Sequence, residues 1–262
     1  MRRFSFVLFL VAVALLARPA TAEQWRVAIG VYDKAAIRKG QATGGLAEFN
    51  EALAREICRR AGVDCVFASL EFKGIFDGVA TGEYQLGFGN FLRTPEREQR
   101  VAFSAPIWRS SSRLIGTLAT AKRFAPEVGP EVTLERLVGA RIIAVTGTAQ
   151  HRYLQTHAAE RGLRIVDTSV LQEAVASLLS DEADFLLAPA LSGYALISSL
   201  PDGKLQFIGP AVAEHSLGGS VHIALPKGNA AVQKAVDRAI AAIRADGTYQ
   251  RIVRQFFPFS LD

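Results

Sequence analysis

An α/β fold of two lobes, each around a largely parallel sheet, is predicted by three features of the chain. Short apolar strands alternate with amphipathic helices, the alternation completes one round, and after a break it starts again. The break spans residues 122–131 and carries Pro126, Gly129 and Pro130. Sheets of this kind bind ligands at the carboxyl ends of their strands, so the cleft between two lobes is the natural site.

Residues 26–31 form the first apolar strand. Residues 47–61 follow as a helix, with Phe49, Leu53 and Ile57 at four-residue spacing on one face. Residues 64–69 are a strand, and 74–80 a short helix that presents Ile75, Phe76 and Val79 before Gly82 stops it. Residues 84–89 are the next strand. Thr94-Pro95-Glu96-Arg97 has the form of a helix start, with a threonine cap, proline in the first position and an acid behind it. Residues 101–106 then lead into a long strand-like stretch over 108–119.

The second round opens with a strand at 141–146, a turn at Gly147-Thr148 and a helix over 149–161. Residues 163–167 are a strand, and 169–180 a helix carrying Leu171, Val175, Leu178 and Leu179. Residues 184–188 and 218–225 are extended. A helix over 229–245 turns Val232, Val236, Ile240 and Ile243 inward, Gly247 ends it, and a short helix runs to Phe257.

The composition is that of a globular protein: of 262 residues, 50% are hydrophobic and 21% charged, which excludes disordered, collagen-like and coiled-coil chains. Residues 1–22 read as a secretory leader. Arg2 and Arg3 precede an apolar stretch over 4–17 broken only by Ser5, too short for a comfortable membrane span, and Ala20-Thr21-Ala22 offers small residues for cleavage. An uncleaved anchor is the alternative. Without a cysteine near the cleavage point, a lipoprotein is disfavoured. The mature chain then begins near Glu23, and the mean hydropathy of +0.19 is inflated by the leader.

The leader also explains the charge. Removing it takes away Arg2, Arg3 and Arg18 and no acid, lowering the net charge from +5 to +2. That leaves no electrostatic footprint for nucleic acid, despite a pI near 9.4. No later apolar run approaches the length of a membrane span, so the mature protein is expected to be soluble.

Export gives the two cysteines meaning. Cys58 falls in the last turn of a helix and Cys65 at the start of the next strand, with Gly62 supplying the turn between them. A disulfide closing so small a loop adds about 2–3 kcal/mol by the chain-entropy argument; two free thiols are the alternative. The four histidines, His151, His157, His215 and His222, have neither helical pair spacing nor an acidic neighbour in sequence, so no metal site is expected.

Four stretches carry a family resemblance: Glu56 to Cys65 with the cysteine pair; Thr94-Pro95-Glu96-Arg97 followed by Val101-Ala102-Phe103-Ser104; Gly147-Thr148 after a strand; and Ala242-Ile243-Arg244-Ala245-Asp246-Gly247-Thr248-Tyr249. In this order and spacing they resemble the periplasmic solute-binding proteins of polar amino acid ABC importers, bacterial extracellular family 3, the group that includes histidine- and lysine/arginine/ornithine-binding proteins. The resemblance covers nearly all of the mature chain. It implies a type II periplasmic binding fold, with two lobes joined by two crossing hinge strands and closing on a ligand. Residues 23–112 and 220–262 would form the first lobe and 113–219 the second. It further implies a periplasmic monomer that hands a small carboxylate-bearing ligand to an inner-membrane permease, without a cofactor or a nucleic-acid partner.

The family's site carries over unevenly. Arg97 matches the arginine that grips the ligand carboxylate, since a guanidinium offers a planar fork to two oxygens and a helix start adds backbone donors. Pairing with Glu96 or Glu98 is its alternative use. Gly147 and Thr148 match a second-lobe turn that donates to the same carboxylate, with helix capping as the alternative for Thr148. Phe72 falls where the family packs an apolar or aromatic side chain over the ligand, and could equally be plain core. Tyr32, near the end of the first strand, is a similar candidate.

Three departures qualify the match. Gly89-Asn90-Phe91-Leu92-Arg93 replaces the family's run of small polar residues, putting Asn90 and Leu92 in the ligand wall. Pro189 stands where binders of α-amino acids place an aspartate for the ligand ammonium. The G-F-D-x-D-L entry to the first helix reads Glu48-Phe49-Asn50-Glu51-Ala52-Leu53. A buried ammonium without a carboxylate loses several kcal/mol, leaving Asp33, Glu48 or an acid on another loop to compensate.

A transport receptor is therefore the leading reading. The alternative is a repurposed binding fold with a degenerate cleft, acting as partner of a periplasmic dehydrogenase or sensor. An enzyme is the third reading, because the periplasmic cyclohexadienyl dehydratases resemble this family. They use a glutamate shortly after the second-lobe strand, whereas Pro189-Ala190-Leu191-Ser192-Gly193 has no carboxylate, and the chain lacks G-x-S-x-G, H-E-x-x-H and P-loop motifs. The protein is read as a non-enzyme.

Overall fold

Two sheets, each flanked by helices, organise the protein in a computed structural model that describes residues 23–31, 45–125, 132–200 and 203–261. The leader at 1–22, Tyr32, Asp33 and most of the Pro/Gly break lie outside the described residues. In chain order the first round gives β1 (Gln24–Gly30), α1 (Gly45–Ala61), β2 (Asp64–Leu70), α2 (Phe72–Ala80), β3 (Leu86–Leu92), α3 (Pro95–Arg100), β4 (Ala102–Phe103) and β5 (Trp108–Ser110). The second gives β6 (Ser112–Gly116), α4 (Leu118–Arg123), β7 (Arg141–Val145), α5 (Ala149–His157), β8 (Arg164–Thr168), α6 (Leu171–Leu179), β9 (Phe185–Pro189), α7 (Ala190–Ser198) and β10 (Gln206–Val212). The chain returns through β11 (Gly219–Leu225), α8 (Ala230–Ala245) and α9 (Thr248–Phe256).

The first sheet has the order β2-β1-β3-β11-β4, with β5 also beside β11; the second has the order β10-β6-β9-β7-β8. Strands joined through a helix are parallel: β1 with β2 and β3, and β7 with β8 and β9. Those next to the crossings between sheets are antiparallel: β11 with β3, β4 and β5, and β6 with β9 and β10. Each sheet is therefore mixed, its parallel part being the one the β/α alternation predicts.

Several helix starts are fixed by side-chain caps of the kind the sequence shows. Thr94 accepts from the Arg97 amide at 3.3 Å, and Asn229 from the Val232 amide at 3.1 Å. The stretch expected as one strand over 108–119 is instead β5, a crossing at Ser111, β6 and the helix α4, which Thr117 caps by accepting from the Thr120 amide at 3.0 Å. The helix expected over 149–161 ends at His157, and a 3-10 turn over Ala159–Arg161 carries the chain to Gly162. Neither α7 nor β10 was expected.

Apolar side chains pack on both faces of each sheet. Phe49 of α1 centres one core of the first lobe, with the rings of Trp108 and Phe257 at 5.5 and 5.4 Å. Ile75, Phe91 and Phe103 occupy the opposite face. In the second lobe Leu154 and Phe185 lie on one face and Leu178 and Leu186 on the other. Cys58 and Cys65 form a disulfide, with Cα atoms 6.2 Å apart, that ties the end of α1 to β2.

Two segments connect the lobes side by side. Ser110 of β5 pairs with Gly219 of β11, and the Ser112 hydroxyl donates to the Leu217 carbonyl at 2.5 Å. Gly218 permits this approach, because a Cβ there would lie 2.7 Å from both the Ala213 Cα and the Ser110 carbonyl oxygen. Among the described residues no helix is long and apolar enough to cross a membrane.

Candidate functional site

The carboxyl ends of strands from both sheets meet around one cavity of about 70 Å³. The first lobe contributes Val31 after β1, Phe72 at the start of α2, Asn90 and Leu92 at the end of β3, and Arg97 from α3. The second contributes Val145 from β7, Thr148 and Gln150 at the start of α5, Leu171 of α6, Pro189 at the end of β9, and Ser192 of α7. Six expected ligand residues thus come together: Phe72, Asn90, Leu92, Arg97, Thr148 and Pro189. Gly147, also expected, is absent from the lining and meets Arg97 through its carbonyl. Tyr32 lies outside the described residues.

Arg97 dominates the electrostatics. It is 6% exposed and is the one charged residue in the described lining. Burial pushes its guanidinium down to about 10, the nearby Arg152 charge acts the same way, and Glu96 opposes them. Its Nη1 donates to the Leu92 carbonyl at 2.8 Å and its Nη2 to the Gly147 carbonyl at 3.2 Å. The rings of Phe72 and Phe91 lie 5.6 and 5.8 Å from its Cζ, within cation–π range. No described carboxylate forms a salt bridge with it. Glu96 pairs with Arg152, and Glu98 with Arg93, so the solvated-helix role considered for Arg97 is not the one it adopts. Among the described residues, two neutral carbonyls and two ring faces surround this buried cation and no salt-bridge partner does, which makes this a place for an anion.

The other candidates sit around that cation. Phe72 is half-buried, 4.8 Å ring to ring from Phe91, and packs against cores of both lobes. Asn90 has φ of +57°, a left-handed conformation that asparagine tolerates, and its Oδ1 accepts from Asn50 Nδ2 at 3.4 Å. The Thr148 hydroxyl donates to the Val145 carbonyl at 2.7 Å and accepts from the His151 amide at 3.2 Å, so it caps α5 while lining the cavity. Gly147 has φ of +81°, which turns its carbonyl toward Arg97. Pro189 ends β9 and supplies neither charge nor amide donor.

Two expectations change. Glu48 is exposed on α1 and absent from the lining, so it does not compensate for Pro189. Gln150 and Ser192, which sequence reasoning missed, are 3% and 4% exposed and face the cavity. Gln150 Nε2 donates to the Ser112 hydroxyl at 2.7 Å, joining the cavity wall to the crossing between lobes. Its place in the first turn after Gly147-Thr148 was the available signal; Ser192 had none, because α7 itself was not recognised.

Comparison with known proteins gives the family and the fold. The profile of the bacterial extracellular solute-binding proteins, family 3, matches residues 33–259. The histidine-binding periplasmic protein of Escherichia coli (strain K12) is 26% identical over 220 residues, covering 83% of this chain and 82% of that protein. The lysine/arginine/ornithine-binding periplasmic protein of the same strain is 24% identical over 222 residues, covering 84% and 82%. Among solved structures, an ancestral arginine-binding protein bound to arginine superposes with a TM-score of 0.76 at 21% identity, covering 90% of this chain and 99% of that one. Its likeness concerns the fold, the two-lobe type II periplasmic binding architecture. With the profile spanning most of its length, the chain belongs to the bacterial extracellular solute-binding proteins, family 3.

Proposed function

We propose that the protein is the periplasmic receptor of an ABC importer, closing on a small carboxylate-bearing ligand between its lobes. The observation that carries this reading is Arg97, a buried guanidinium with no salt-bridge partner among the described residues, at the meeting point of the strand ends. A ligand carboxylate would take the planar fork, with the first turn of α5 beside it. Phe72 and Leu92 would cover the ligand from the first lobe, Asn90 would flank it, and Gly147, Thr148 and Pro189 would close from the second; Tyr32 is proposed on sequence grounds alone.

In this reading residues 1–22 are a cleaved leader, 23–112 and 220–262 form the first lobe, and 113–219 the second. The mature protein acts as a monomer, delivers its ligand to an inner-membrane permease, and performs no catalysis. The relatives named above as binding histidine, or lysine, arginine and ornithine, support a receptor role.

A thermal-shift screen of the mature protein against amino acids, amine-free carboxylates and cationic amines tests it, with Arg97→Ala alongside. A ligand at 100 times its dissociation constant adds about 2.7 kcal/mol, which at roughly 2–4 °C per kcal/mol raises the midpoint by about 5–10 °C in a protein of this size. That shift is expected for a carboxylate and should vanish in Arg97→Ala. An undiminished shift in the variant would refute the carboxylate assignment.

A further inference from the structure

We infer that the cleft selects amine-free carboxylates with an apolar body, such as 2-oxo and 2-hydroxy acids, over the α-amino acids of the same skeleton. The inference rests on the receptor reading and concerns which ligand that receptor takes. Arg97 provides for one negative charge, and the described lining holds no acid to balance a positive one. At the end of β9 the chain offers Pro189, then Ala190, Leu191 and Ser192, none of them anionic.

Of the described acids near these strands, Glu71 beside Phe72 is absent from the lining, and three others are committed elsewhere. Asp184, at the opposite end of β9, is bound by Arg141 and Arg123. Glu173 is exposed on α6 and accepts from the Thr168 hydroxyl at 2.7 Å. Asp167 is exposed and engages His151 Nε2 at 2.8 Å. An ammonium entering this cavity would give up its hydration beside a buried guanidinium of the same sign.

The remaining wall favours a neutral substituent. Val31, Phe72, Leu92, Val145, Leu171 and Leu187 provide apolar surface for a ligand body. Ser110, Gln150, Ser169 and Ser192 bring hydroxyl and amide groups, which can hydrogen-bond an oxo or hydroxyl group at C2 without any charge to balance.

Titration calorimetry on the mature protein with matched triplets tests this. One triplet is phenylpyruvate, phenyllactate and phenylalanine; the others carry the leucine and alanine side chains. In the triplet that binds, the oxo or hydroxy acid is expected to be roughly tenfold or more tighter than the amino acid, the scale set by leaving one polar group unpaired. An amino acid that binds as tightly or more tightly would overturn the inference while leaving the receptor reading intact. Absence of binding by every member would also overturn the inference, whereas the receptor reading falls only if the broader thermal-shift screen is flat as well.

Discussion

The Arg97 guanidinium of α3 reaches across the cleft and donates to the Gly147 carbonyl of the second lobe at 3.2 Å. The group that would read a ligand carboxylate is thus also a contact between the lobes. Its acceptors here, the carbonyls of Leu92 and Gly147, are neutral. A carboxylate forms charge-assisted bonds roughly twice as strong as those between neutral groups. Ligand binding and lobe closure therefore converge on one side chain.

Arg97→Met should separate the ligand role of this arginine from a structural one. A buried cation with no salt-bridge partner among the described residues contributes little to folding, and an apolar side chain of similar length often fits such a place as well. The ligand-free variant is expected to unfold within about 1 kcal/mol of the parent, while ligand stabilisation disappears. Urea unfolding with and without ligand measures both. A loss of more than about 2 kcal/mol without ligand would make Arg97 a structural group.

The Glu96–Arg152 pair joins α3 to α5 across the cleft mouth, with both side chains substantially exposed at 66% and 45%. Pairs of that kind contribute modestly and are screened by salt. Glu96→Gln should weaken ligand binding about two- to fivefold at low salt, mainly through faster dissociation, and the difference should shrink as salt rises. Stopped-flow dissociation at two ionic strengths reads the effect. Equal rates for parent and variant at low salt would show that the pair does not hold the closed form.

What the sequence disclosed and what it concealed follow from the range of the interactions involved. The alternation around Phe49, Ile75 and Val175 is local, so the helices carrying them were legible. Helix α7 was not, because Leu191 packs into a first-lobe core and Leu196 into a second-lobe core, leaving no single apolar face. Gly209 and Pro210 masked β10, which tolerates them at the edge of its sheet. The break at Ser111 depends on pairing with β11, more than a hundred residues away, and nothing local announces it. In the site, Arg97 and Pro189 were singled out by the family resemblance, on a helix start and a strand that the sequence pattern shows. The uncompensated burial of Arg97 emerged only when the other lobe was in place.

Gly218→Ala should damage the connection between lobes. Its Cβ would meet backbone atoms at 2.7 Å on two sides, and backbone yields less readily than a flexible side chain. A loss of about 1–3 kcal/mol in stability is expected, with weakened ligand binding as the crossings separate. Gly45→Ala is the control, since a Cβ there meets nothing within 4 Å and stability should change by less than about 0.5 kcal/mol. Thermal unfolding of the two variants side by side checks the contrast; equal midpoints would show that the crossing gives way easily.

Acid should unfold the protein through identifiable carboxylates. Hydrogen bonds from Arg59, opposed by partial burial and reinforced by Arg60, bring Glu56 from its ordinary 4.5 to about 2. At Asp184 burial pushes upward, but hydrogen bonds and charge from Arg141, with the charge of Arg123, hold it below the usual aspartate range. In both cases the unfolded chain takes up its proton at higher pH than the folded one. The stability they contribute is therefore complete above the ordinary carboxylate range and is lost as pH falls toward the folded values. Unfolding free energy should be flat from pH 7 to about 5 as far as these groups are concerned, then fall steeply toward pH 2. Glu56→Gln should lower stability at pH 7 and flatten the fall between about pH 4.5 and 2, because the variant has no proton to take up there. Denaturant unfolding across that range decides the matter: an acid limb equally steep in parent and variant would exclude Glu56 as one of its sources.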